Sequence, residues 1–374
     1  MRAKSRFIVF FVAMLAAAAV YAQDSAANGS SSPPPPALPG IPEERLSING
    51  YFNVESDYQP SAYGLGDHNA SVDVDVFELL INYKGPDKFR VSAALDLEHG
   101  TDTEFTQGHL TTGWLFMEYA HSDALKLRVG KFLTPFGVFN EIHGAKNLFL
   151  ARDEPRATLK PQKIAKNGYR YAPKWLAGAE ATGELSFGKQ SIEYIVAAGN
   201  GDQTETNPYE QDNNSKKATT ARIQYSPNDN LLFGVSTYHD YLTVAGASDT
   251  GHVTSYGAHA HYTPGQWRFL YELTHGSRRL PSALLTGTES GQVAEAGYVF
   301  GKYTPYVQWQ GLNTSLGTTK EKANAYIGGV DVALGRHFVY KVQDAYWTGS
   351  SLNKKFDFPG RHYHEINMAF FYAF

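Results

Sequence analysis

Ile366-Asn367-Met368-Ala369-Phe370-Phe371-Tyr372-Ala373-Phe374 closes the chain, and every second side chain in it (Ile366, Met368, Phe370, Tyr372 and Phe374) is large and apolar. Successive side chains of a β-strand point to opposite faces, so this segment has one continuous apolar face. The same period of two runs through the chain from Leu46 onward. Phe89, Val91, Ala93, Leu95 and Leu97 alternate with Arg90, Ser92, Ala94, Asp96 and Glu98. Leu125, Leu127 and Val129 alternate with Lys126, Arg128 and Gly130, and Phe338, Tyr340 and Val342 with Val339, Lys341 and Gln343. Each segment has one greasy face and one mixed polar face, which predicts strands. The alternation is imperfect within Val72 to Tyr83, where the phase switches: Val72, Val74 and Val76 fall opposite Phe77, Leu79, Ile81 and Tyr83. A bulge, a strand end rising above the lipid, or a face covered by another subunit would each produce that switch.

The connections alternate in length. Short turns are read at Lys84-Gly85-Pro86-Asp87, His121-Ser122-Asp123, Phe187-Gly188-Lys189, Ser226-Pro227-Asn228-Asp229, Thr263-Pro264-Gly265, Phe300-Gly301-Lys302 and Leu334-Gly335-Arg336. Longer polar loops are expected near residues 57–70, 99–112, 132–175, 200–216, 243–251, 277–290, 313–321 and 348–360. Seven turns and eight loops imply sixteen strands, and short turns at one end with long loops at the other are the pattern of an antiparallel transmembrane β-barrel. A barrel of that size holds an aqueous channel.

Composition agrees with this all-β reading. Aromatics make up 14% and charged residues 19% of 374 residues. The mean hydropathy of −0.37 excludes a helical bundle in the membrane, whereas a barrel exposes only alternate side chains to lipid. There is no Cys, so disulfides, zinc–thiolate sites and thiol catalysis are excluded together. At the N-terminus Arg2, Lys4 and Arg6 precede an apolar run from Phe7 to Val20, and Val20-Tyr21-Ala22 fits a cleavage site before Gln23. Residues 1–22 read as a secretory signal peptide, residues 23–45 as a Pro-rich periplasmic leader around Pro33-Pro34-Pro35-Pro36, and residues 46–374 as the barrel. Removing three basic residues leaves 30 Lys+Arg against 37 Asp+Glu, a net charge of −7, which argues against nucleic acid as a partner.

The stretch Arg128-Val129-Gly130-Lys131-Phe132-Leu133-Thr134-Pro135-Phe136-Gly137 resembles a motif of Gram-negative outer-membrane porins related to the phosphate-selective porin family, in which a strand ending in Gly-Lys/Arg-Phe runs into Thr-Pro-Phe-Gly. The C-terminal strand, with Phe370, Tyr372 and Phe374, resembles the signal read by the barrel assembly machinery. The resemblance implies a homotrimer in the outer membrane, in contact with its lipid and lipopolysaccharide, passing small hydrophilic or anionic solutes by passive diffusion. It further implies that the long third loop folds inward to form the constriction.

Between Lys131 and Trp175 there are nine basic residues (Lys131, Lys146, Arg152, Arg156, Lys160, Lys163, Lys166, Arg170 and Lys174) against Glu141, Asp153 and Glu154. In a narrow aqueous pore such an excess concentrates anions. The candidate constriction set is therefore Lys131, Lys146, Arg152, Arg156, Lys160, Lys163, Lys166 and Arg170, with Lys126 and Arg128 on the wall just before the loop. By parity Arg90, Arg222, Arg268 and Lys341 also face the lumen, as do Asp96, Glu98, Glu118, Glu193, Glu272, Glu295 and Glu365. Opposed basic and acidic walls would impose a transverse field, and mutual pairing that merely stiffens the wall is the plainer reading of the same charges. Tyr51, Tyr119, Trp267, Trp309 and Trp347 suit interfacial girdles. His259 with His261, and His362 with His364, share strand faces without a third metal ligand, and the acidic stretch from Asp202 to Asn214 lacks an EF-hand pattern. No cofactor or catalytic triad is indicated. The alternatives are a barrel enzyme of the phospholipase or protease type, a plugged structural or adhesive barrel, and a soluble β-sandwich.

Overall fold

The computed structural model describes residues 45–58, 70–98, 110–140, 149–165, 168–201, 212, 214–243, 250–280, 286–349 and 362–374. The expected signal peptide and nearly all of the leader lie outside these residues. Sixteen antiparallel strands form among them: β1 (Leu46–Tyr58), β2 (Ala70–Lys84), β3 (Phe89–Glu98), β4 (Leu110–Ser122), β5 (Leu125–Leu133), β6 (Trp175–Phe187), β7 (Gln190–Asn200) and β8 (Ala218–Asn228). These are followed by β9 (Leu231–Leu242), β10 (Gly251–Tyr262), β11 (Trp267–Arg279), β12 (Thr286–Tyr298), β13 (Tyr303–Leu316), β14 (Thr319–Ala333), β15 (Phe338–Gly349) and β16 (His362–Ala373). Each pairs with its sequence neighbour, and β1 pairs with β16 to close a transmembrane β-barrel. Closure leaves no strand edge, which is what lipid demands of a sheet.

The alternation seen in the sequence is the in–out alternation of the wall. Val129, Val235, Val307 and Phe370 are each more than half exposed on the outer face. Their neighbours Arg128, Ser236, Gln308 and Phe371 point inward. Aromatic pairs ring the short-turn end from outside, with centroid separations of 5.1 Å for Phe89–Tyr119, 4.9 Å for Trp267–Tyr298 and 4.4 Å for Phe338–Tyr372. Two of the expected girdle residues are not there: Tyr51 and Trp347 lie on inward positions, 5% and 2% exposed.

The phase switch in β2 is a bulge. Asn53 of β1 opposes Val76, but Val54 opposes Val74, so Asp75 is an extra residue. Val72 and Val74 on one side of it, and Phe77, Leu79 and Ile81 on the other, then all face outward, and Val76 turns inward at 3% exposure. A second bulge lies between β3 and β4, where Trp114 opposes Ala94 and Thr112 opposes Leu95, leaving Gly113 extra.

One connection differs from expectation. The loop placed near residues 313–321 is a two-residue turn, Gly317-Thr318, between β13 and β14, with Gly317 at a φ of 58°. The strand ends flanking it, Asn313-Thr314-Ser315 and Lys320-Glu321-Lys322, are polar on both faces. Without apolar alternation there was no strand signal to see.

Phe374 carries the last rung of the seam. Its N–H donates to the Gly50 carbonyl (2.9 Å) and its carbonyl accepts from the Gly50 N–H (3.0 Å). Its ring stacks on Phe77 at 6.2 Å and Tyr372 at 6.1 Å. Deleting Phe374 is expected to leave most of the protein unfolded in vesicles, read on a gel as a band that no longer changes mobility on boiling. A normal heat-modifiable band would show that the seam closes without it.

Candidate functional site in the barrel lumen

The third loop leaves β5 after a glycine that no other residue could replace without strain. Gly130 has a φ of 137°, and a Cβ there would sit 2.3 Å from the Leu115 carbonyl oxygen. The described residues of the loop (134–140, 149–165 and 168–174) lie against inward-facing side chains of the wall. Phe136 and Tyr171 pack with Tyr238 and Val253. Val138, Phe139, Phe149 and Leu159 pack on Val293, and Leu150, Ala157 and Ile164 pack with Leu312, Ile327, Trp347 and Tyr363.

Wall side chains meet several backbone groups of the loop, and others bond within it, as at Leu159, Lys160, Ile164 and Ala165. The Gly137 N–H donates to Ser236 Oγ (3.0 Å) and the Val138 N–H to Glu272 Oε2 (2.6 Å). The Arg152 N–H donates to Gln343 Oε1 (2.8 Å), the Ala157 N–H to Gln310 Oε1 (3.1 Å) and the Tyr169 N–H to Glu289 Oε2 (3.0 Å). In the other direction Thr220 Oγ1 donates to the Pro135 carbonyl (3.2 Å), Arg222 to the Gly137 carbonyl (3.3 Å), and Lys341 Nζ to the Phe149 carbonyl. Buried backbone groups need such partners, and strands β8, β9, β11, β12, β13 and β15 each supply at least one.

The candidate basic residues separate into three groups. Arg152, Arg156 and Lys160 are in ion pairs. Arg152 lies 3.3 Å from Glu55 of β1 and 2.8 Å from Asp153. Arg156 lies 3.4 Å from Glu365 of β16, donates to the Tyr363 hydroxyl at 3.2 Å and covers the Trp347 ring at 4.6 Å. Burial opposes the Arg156 charge, but Glu365, Tyr363 and Asp153 outweigh it and push its pKa up. Lys160 pairs with Glu154.

The second group is on the wall. Arg128 holds Glu118 (2.5 Å) and Glu180 (2.7 Å), Arg90 holds Glu118 (3.0 Å), and both guanidiniums lie over the Phe116 ring at 5.0 and 5.8 Å. Lys126 is an inward neighbour on the same strip, within electrostatic reach of Glu118. The third group lies elsewhere. Lys131 opposes outward-facing Leu115, so it stands on the outer face, with its ammonium 4.9 Å from the Trp175 ring centre. Arg170 is half-buried on the returning limb, and Lys163 ends a short 3-10 helix, Pro161–Lys163, with its side chain outside the described residues. Lys146 and Lys166 lie outside them altogether.

Several inward residues were not singled out from sequence: Glu55, Asp75, Glu78 and Glu180, all under 7% exposed. The one available signal for Asp75 was the phase switch in β2, since the bulge turns it inward. His259 faces inward, 3.0 Å from Gln224 Nε2, and His364 faces outward, 3.2 Å from Asp344. Among the described residues no group of three or more His, Asp or Glu could hold a metal ion.

Glu272 is one of the most deeply set of the loop anchors, at 2% exposure. Glu272→Ala is expected to cost about 1–3 kcal/mol by orphaning a buried N–H, to open the loop to proteases added outside the folded barrel, and to raise single-channel conductance. Unchanged proteolysis and conductance would show that the loop does not depend on this anchor.

No protein-family model matches the chain, and no curated protein matches it. Solved structures do. An anion-selective porin from Comamonas acidovorans aligns with a TM-score of 0.62 at 10% identity, covering 88% of this chain and 99% of that one. The outer membrane channel DcaP of Acinetobacter baumannii aligns at 0.59 and 10% identity, covering 89% and 99%. OmpT, an outer membrane protein of Vibrio cholerae, solved in a trimer form, aligns at 0.58 and 13% identity, covering 88% and 99%. At these identities the likeness is one of fold: this chain has the sixteen-stranded barrel architecture of outer-membrane porins.

Proposed function

We propose that this chain is an outer-membrane porin, a water-filled channel for passive diffusion of small hydrophilic solutes, and not an enzyme. The observation that carries the reading is the pairing of an outward apolar band with an inward face of polar and ionisable side chains in a closed sixteen-stranded wall. An Arg or Lys facing the lipid midplane costs roughly 2–4 kcal/mol, so charges on alternate positions mark a wet interior. The anchored loop supports a constriction within that interior. The fold of the Comamonas and Acinetobacter proteins, described as a porin and a channel, points the same way. The trimer form of the Vibrio protein supports a homotrimer here.

The finer reading is a lean toward small, phosphate-like anions. Its support is narrower than the loop's charge count suggested, because Arg152, Arg156 and Lys160 are ion-paired with Glu55, Glu365 and Glu154. What remains in its favour is Lys126, on a strip leading to the loop where Arg90, Lys126 and Arg128 outnumber their carboxylate partners Glu118 and Glu180 by one positive charge. Purified protein in a planar bilayer is expected to give stepwise conductance with an anion-leaning reversal potential in a KCl gradient. Lys126→Glu is expected to move that potential toward cations while leaving the barrel heat-modifiable. Absence of stepwise current would overturn the pore, and a cation-leaning potential in the unaltered protein would overturn the lean.

A further inference from the structure

On the lipid side of the wall, between β10 and β15, the outer face carries a groove of about 820 Å³, the size of a ligand site rather than of a crease between side chains. Ala294 and Ala296 of β12 form its floor, both pointing outward on either side of the inward Glu295. Tyr271 and Phe269 of β11 stand opposite them on one side, and Trp309 and Val307 of β13 on the other. Phe269, Tyr271 and Val307 are 38%, 42% and 62% exposed, so the walls stand open to the membrane. The Tyr271 hydroxyl donates to Gln292 Oε1 (3.2 Å) and closes the upper end of the floor. Trp267 and Tyr298 of the aromatic girdle mark the lower end, at the level of lipid headgroups.

Width and charge say what fits it. The wall strands β11 and β13 flank β12, so they lie about 9.6 Å apart, and their rings narrow the space to a slot one hydrocarbon chain wide. The broad convex wall of a second barrel cannot enter such a slot, whereas a single acyl chain is touched on three sides. Lipid tails are as apolar as the groove, so the extra dispersion contacts decide which occupant is held. Lys302, in the short turn beneath β13, is exposed, lies 5.3 Å from the Tyr303 ring centre and is in no ion pair among the described residues. At the β15 edge of the groove lies Asp344, 3.2 Å from His364. An anionic headgroup therefore belongs at the Lys302 end. From Tyr303 to Trp309 the outward stripe of β13 runs about 20 Å and, at the usual barrel tilt, rises about 15 Å, the depth of one leaflet.

We infer that this groove holds one acyl chain of a glycerophospholipid from the periplasmic leaflet, with the phosphate of that lipid at Lys302. The short turns of such barrels face the periplasm, which puts Lys302 and the headgroup at the same level. The inference goes beyond the pore reading and uses only the barrel's place in the outer membrane. A lipid held this way travels with the barrel as a fixed part of its outer surface, while its neighbours exchange.

The test is native mass spectrometry of the full-length barrel in detergent, titrated with a phosphatidylglycerol or with the diacylglycerol that carries the same two chains. One phosphatidylglycerol per barrel is expected to be retained. In Ala294→Phe/Ala296→Phe, which fills the floor from outside, the concentration for half occupancy is expected to rise about tenfold, the worth of about ten lost carbon contacts. Ala179→Phe, on the outward face of β6, is the control and is expected to leave it unchanged. Lys302→Gln is expected to bring phosphatidylglycerol down to the level of the diacylglycerol, and a preference that survives it overturns the phosphate contact. No lipid retained by the unaltered protein overturns the groove, and so does unchanged occupancy in a double variant that remains heat-modifiable, or an equal loss in Ala179→Phe. A dimeric or trimeric mass that the double variant abolishes, with no lipid on the unaltered protein, assigns the groove to a second copy instead. If the double variant does not fold, Ala296→Leu takes its place: a rise of about threefold in the half-occupancy concentration upholds the groove, and no rise overturns it.

Discussion

A backbone N–H or C=O facing lipid has no solvent to bond to, and this constraint organises the whole molecule. It forces the sheet to close, because an open edge would leave a row of such groups bare. Closure in turn fixes sixteen antiparallel strands in register from β1 to β16. With the wall committed to hydrogen bonding sideways, its side chains have two environments only. Most of those facing the bilayer are apolar, and most polar ones are left to the interior. The same rule applies inside to the third loop, whose backbone cannot join the sheet. Glu272, Glu289, Gln310, Gln343 and Ser236 each receive one of its N–H groups, and others bond within the loop.

The interior is therefore shaped by pairing more than by net charge. Nine basic residues between Lys131 and Trp175 suggested a strongly positive eyelet. Three of them, Arg152, Arg156 and Lys160, are answered by carboxylates, and Lys131 is not in the lumen. Counting charges along a loop measures what the segment brings, whereas the local potential depends on what the wall returns. Here the wall returns Glu55 and Glu365 from the two strands that meet at the seam.

Period two made the wall legible in the sequence, because burial in lipid on one face and water on the other writes itself onto alternate residues. The terminal strand, the seven short turns and the inward set Arg90, Arg128 and Arg222 all followed from it. Where that contrast vanishes, so does the signal. The strand ends around Gly317 are polar on both faces, and a tight turn there read as a loop. In β2 the extra residue Asp75 shifted the phase, and sequence could see the shift without knowing which residue caused it. Tyr51 and Trp347 looked like girdle residues because aromatic character says nothing about which face a ring occupies. The ion pairs of Arg152 and Arg156 were invisible for a different reason: their partners are set by three-dimensional closure.

That last feature bears on how the molecule is made. Arg152 meets Gln343, 191 residues away, and Arg156 meets Glu365, 209 residues away. Contacts of such separation are slow to form, since much chain must be ordered before they repay the loss of freedom. The loop belongs to the first half of the chain, yet its clasps arrive with the last strands. Until then the growing sheet has bare edges and an unfilled interior, a state prone to wrong pairing. Closure of the seam and seating of these two arginines thus draw on the same last strands, β15 and β16.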